Sequence, residues 1–113
     1  MDEKFSEFEA WYLKQEKEWE SQRIVIDYTG LGEHGHQYWI KLHSENGLGN
    51  IVLYESNGLY WVDFEGGNYD YDVMFMKGGI DFVDESSLEN IAAEFIKHIT
   101  WDGSKLIKEK ESG

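Results

Sequence analysis

Cysteine and proline are both missing from this sequence of 113 residues. Without cysteine there is no disulfide framework, no thiol nucleophile and no zinc ribbon. Without proline, breaks between elements must rest on glycine and asparagine. Basic residues are scarce: ten Lys and Arg face 23 Asp and Glu, a formal net charge of −13. Such a surface repels the phosphate backbone, whose binding needs Lys and Arg to displace counterions, and it repels anionic leaflets. Direct binding to nucleic acid or membrane is therefore disfavoured. No apolar run approaches the roughly 18 residues of a membrane span. Met1 is followed by Asp2, Glu3 and Lys4 rather than by a basic-then-apolar leader. The expectation is a cytoplasmic protein.

What is present suits one folded domain. Apolar residues make up 41% and aromatics 16% of the chain, enough to build a single core at this length. Phe5, Phe8, Tyr12 and Trp19 recur at spacings of three, four and seven, one stripe of an N-terminal helix. From Arg23 the period becomes two: Ile24, Ile26 and Tyr28 alternate with Arg23, Val25 and Asp27. Tyr38, Ile40 and Leu42 alternate with Trp39, Lys41 and His43 in the same way. Ile51 to Tyr54, then Ser56-Asn57-Gly58, then Leu59 to Phe64 predicts a hairpin, because Asn-Gly supplies the positive φ angles of a tight turn. Tyr69 to Met76 and Ile80 to Val83 read as a further hairpin around Lys77-Gly78-Gly79. Ser86-Ser87-Leu88-Glu89 fits a capping box, and Leu88, Ile91, Ala92, Phe95, Ile96 and Ile99 follow at helical spacing. The expected fold is α+β: an antiparallel meandering sheet of four to six strands with an N-terminal and a C-terminal helix on one face. It forms one domain over 1–104, followed by a loose charged tail over 105–113.

Several patterns resemble chemistry without supporting it. Gly30-Leu31-Gly32-Glu33-His34-Gly35 fits GxGxxG, but a dinucleotide site needs a helix next, and Gln37 to Leu42 alternates like a strand. His34 and His36 lie two apart in that loop and lack a local third ligand and an orienting partner. Asp70 and Asp72 fall on one strand side, a spacing open to acid–base work or cation binding, yet they alternate with Tyr69 and Tyr71 like a solvated face. There is no Gly-x-Ser-x-Gly elbow and no P-loop lysine. No enzyme activity, metal or cofactor is expected.

Aromatic density and the placement of acid remain. Five Trp, seven Tyr and six Phe exceed what one small core needs. Tyr12, Trp19, Trp61 and Phe95 are assigned to the core, whereas Trp11, Trp39, Tyr54, Tyr60, Tyr69 and Tyr71 fall on the opposite phase. Between 54 and 89, Glu55, Asp63, Glu65, Asp70, Asp72, Asp81, Asp84, Glu85 and Glu89 face Lys77 alone. Tyrosines interleaved with carboxylates suit a protein–protein interface, where rigid aromatics anchor and charge speeds encounter. The candidate partner-binding residues are Tyr60, Asp63, Glu65, Tyr69, Asp70, Tyr71 and Asp72. A sheet buried on both faces would account for the tyrosines equally well.

The chain resembles the immunity protein 53 family, small immunity proteins of bacterial polymorphic toxin systems. The residues that carry the likeness are Trp11-Tyr12 with Gln15, Trp19-Glu20, Ile24-Val25-Ile26 with Thr29, and Trp39-Ile40-Lys41-Leu42. Trp61, Gly78-Gly79, and Leu88, Ile91 and Phe95 complete it, so that it runs from about Phe5 to Ile99. The resemblance implies a cytoplasmic antidote that binds one toxin domain, often a nuclease, and blocks it. Two other functions stay open: an acidic nucleic-acid mimic that inhibits a DNA-binding enzyme, and a small-molecule-binding domain or hydrolase using His43, Asp70 or Asp72.

Overall fold

A computed structural model describes residues 2–70 and 74–102. The elements run α1 (Glu3–Ser21), β1 (Val25–Leu31), β2 (Gln37–His43), β3 (Gly47–Ser56), β4 (Leu59–Asn68), β5 (Phe75–Asp81), a short 3-10 turn (Glu85–Ser87) and α2 (Glu89–Thr100). The five strands form one antiparallel meander in the order β1-β2-β3-β4-β5. This is the α+β architecture that the periodicities predict, with five strands and one helix at either end. The tail over 105–113 lies outside the described residues.

Helix α1 starts where the Asp2 carboxylate accepts the Lys4 N–H at 2.9 Å, satisfying one donor of the first turn. Its buried face holds Phe5, Phe8, Tyr12 and Trp19, and also Trp11, which is 2% exposed. The expectation of an outward Trp11 is thus corrected. Position 11 is three residues from Phe8 and eight from Trp19, and an apolar stripe is wide enough to take both it and Tyr12. Trp11 stacks on Phe8 at 5.7 Å and meets Trp19 edge-on at 5.8 Å.

Both helices pack on one face of the sheet, and a single core joins them to Tyr38, Ile40, Leu42, Ile51, Leu53, Val62 and Phe64. Helix α2 comes close because glycine lies beneath it. A Cβ added at Gly49 would sit 2.5 Å from Cζ of Phe95, and one at Gly66 would sit 2.8 Å from the same ring. The last turn of α2 is tied down by polar side chains from the sheet end. Asn68 Nδ2 donates to the His98 and Trp101 carbonyls, each at 2.8 Å, Asn46 Nδ2 donates to the Thr100 carbonyl, and Ser44 Oγ donates to that of Ile99. These bonds satisfy carbonyls that a helix C-terminus leaves without an intrahelical partner.

The Asn57-Gly58 turn has φ of 51° and 80°, as the Asn-Gly pair predicts, and sets the β3–β4 register so that Tyr54 faces Trp61. Two local expectations are corrected. Lys77-Gly78-Gly79 is no turn; it lies within β5, whose register shifts between Val62↔Ile80 and Phe64↔Lys77. The extra residue forms a bulge opposite Asp63, whose carboxylate accepts the Gly79 N–H at 2.7 Å. The cap before α2 also sits earlier than expected. Asp84 accepts from the Ser86 N–H at 2.9 Å, and Ser86 Oγ donates to that carboxylate, so Ser86 is held by a cap and does not supply one.

Candidate docking face

The other face of the sheet carries no helix among the described residues. Alternation brings Trp39 of β2, Val52 and Tyr54 of β3, and Trp61, Asp63 and Glu65 of β4 to it. The register places Trp39 opposite Val52, Val52 opposite Asp63, and Tyr54 opposite Trp61. The Tyr54 and Trp61 rings stack at 5.5 Å with 14° between their planes. Val52 is only 3% exposed although no helix covers it, because its cross-strand and diagonal neighbours are large side chains. Trp39 donates from Nε1 to Gln37 Oε1 at 2.9 Å, and Lys41 Nζ lies 5.3 Å from the centre of the Trp39 ring.

The electrostatics of this face are negative on β4 and on its neighbour β5, where Asp81 is opposite Trp61. Burial, then the charges of Asp63 and Glu65, push the Tyr54 hydroxyl above the usual tyrosine range. A shallow hollow of about 360 Å³ continues from Glu65 toward the sheet end, lined by Leu48, Gly67, Tyr69 and Met74 among others.

The expected site residues therefore divide. Asp63 and Glu65 share the open face, with Glu65 exposed and Asp63 partly committed to the β5 bulge. Tyr69 is exposed beside Glu65 in the hollow, and its N–H donates to the Asn46 carbonyl. Asp70, expected on a strand, lies in the turn after β4 and is exposed, its N–H donating to Asn68 Oδ1 at 2.8 Å. Tyr60 is corrected: it lies on the helix-covered face, packed edge-on against Phe5 at 6.2 Å, with its hydroxyl donating to Asp2 at 2.7 Å. Tyr71 and Asp72 lie outside the described residues.

Trp61, expected in the core, is on the open face and half-buried. The signal that could have placed it is the hairpin arithmetic. With the turn fixed at Asn57-Gly58, Tyr60 must point to the side opposite Trp61, and Tyr54 must face Trp61.

Two histidines pair with carboxylates, so His36, expected to lack an orienting partner, has one. His36 Nδ1 is 2.8 Å from Glu55 Oε2, and His43 Nδ1 is 2.8 Å from Asp27 Oδ2. Among the described residues no three His, Asp or Glu side chains converge as a ligand set. Hydrogen bonds to the end of α2 occupy the buried polar residues Ser44 and Asn68. No described helix is long and apolar enough to cross a membrane. No protein-family model, curated protein or solved structure matches the chain.

Proposed function

We propose that this chain is an immunity-type inhibitor that works in the cytoplasm by binding a cognate toxin domain and blocking it by occupancy, without turnover. The partner is a basic protein, most naturally a nuclease, because a nuclease must be cationic where it holds phosphate. The observation that carries this reading is the helix-free face. Half-buried Trp39, Tyr54 and Trp61 stand there on rigid strands, bordered by Asp63, Glu65 and Asp81. Rigid aromatic anchors beside uncompensated charge are the composition of a docking surface. The net charge of −13 supports the same partner sign. The resemblance to the immunity protein 53 family points the same way.

The test is co-expression with a candidate polymorphic-toxin nuclease domain. The expected result is restored growth and a stable complex on purification, with association that slows as salt is raised. Undiminished killing, with no complex recovered, overturns the reading.

A further inference from the structure

We infer that the helix-free face reads arginine: it docks a basic protein surface by receiving a guanidinium against the Tyr54–Trp61 ring pair, with Glu65 as its counter-charge. This deepens the inhibitor reading and rests on it for the kind of partner. Three observations carry it.

The first is the ring pair itself. The two rings stack face to face, 14° apart, on neighbouring strands, and each is only half-buried, so backbone register holds a π surface that is still partly open to solvent. A planar guanidinium stacks on such a surface and still offers its edge donors to a carboxylate, which the compact ammonium of lysine cannot do as well.

The second is the charge beside it. Glu65 is exposed on the same face of β4 as Trp61, and Asp81 is the cross-strand partner of Trp61. Burial first, and then the charges of Asp63 and Glu65, raise the Tyr54 hydroxyl pKa. The face thus offers a cation both π density and negative potential. It already does so once internally, where Lys41 lies over Trp39.

The third observation decides among occupants. A second copy of this chain would bring Glu65 and Asp81 against the same carboxylates, and like charges across an interface are costly. Strand addition at the sheet edges is hindered as well. β5 is interrupted by its Gly78-Gly79 bulge, and β1 shifts register between Ile26 and Tyr28. A cationic protein surface on the face is the occupant that remains consistent with the charge.

The experiment titrates the full chain with an oligoarginine peptide and with an oligolysine peptide of equal length, at physiological salt. The expected result is about tenfold tighter binding of oligoarginine. That preference should vanish in Trp61→Ala and in Glu65→Lys. Glu65 is exposed, so the second variant keeps the test decisive if the first fails to fold. Equal affinity for the two peptides, or a preference that survives Glu65→Lys, overturns the inference. So does a sedimentation result in which the parent dimerises and Glu65→Lys is monomeric. An arginine preference in a chain that rescues no toxin-exposed cells would overturn the inhibitor reading while leaving this face in place.

Discussion

Tyr60 and Trp61 are adjacent in sequence and lie on opposite sides of the sheet. Tyr60 works with Tyr38 to fasten the sheet to the first helix: Tyr60 donates to Asp2 at 2.7 Å and Tyr38 donates to Glu9 at 2.8 Å. The hydrogen bond to Asp2 first, and desolvation second, push the Tyr60 hydroxyl up to about 12, while for Tyr38 burial leads and the bond to Glu9 follows, again to about 12. A pKa raised in the folded state means that the protonated phenol is favoured by folding. That stability is complete below the ordinary tyrosine value of 10.0 and is lost as pH rises from there toward about 12. Thermal unfolding followed against pH should therefore show a falling Tm above pH 10, and Tyr38→Phe should flatten the fall. A Tm that is constant across that range would contradict these roles. Alternation alone assigns Tyr60 to the surface, whereas the register outward from the Asn57-Gly58 turn sets it on the side opposite Trp61. The acceptors Asp2 and Glu9 are distant in sequence, and no local pattern announces them.

At the scale of elements, hydrophobic period separates the two helices from strands β1 to β4, since burial on one side imposes 3.6 on the first and 2 on the second. The strand β5 misled it because glycine serves bulges as readily as turns. Asp63, sixteen residues away, determines which one forms by accepting the Gly79 N–H. The close seat of α2 was also hidden, because an absent side chain leaves no periodic signal. Gly49 fills that role on the helix face, whereas at Gly67 an added Cβ would meet only Met74 Sδ at 3.3 Å. Gly49→Ala should then cost about 1–3 kcal/mol by overpacking against Phe95, and Gly67→Ala should cost clearly less. Denaturant midpoints of the two variants against the parent measure the difference. Equal midpoints would show that α2 can shift to admit the methyl group.

At the scale of the whole molecule, one layer of helices leaves one sheet face uncovered among the described residues, and Trp39, Tyr54 and Trp61 stand there. Trp39, Tyr54 and Trp61 come from three strands, so their meeting depends on register and is legible only once the Asn57-Gly58 turn is fixed. Of the acidic candidates, Asp63 and Glu65 share this face, while the clustering of acid along the chain said nothing about which side each would occupy. The central claim is that this face, and not the helix layer, meets the partner. Hydroxyl-radical footprinting of the chain alone and in its purified toxin complex tests that claim most directly, because indole oxidation reports side-chain access. Trp39 and Trp61 should lose reactivity in the complex, while Leu13, 53% exposed on the outer side of α1, keeps its own. Protection of Leu13 with Trp39 and Trp61 unchanged would contradict the account.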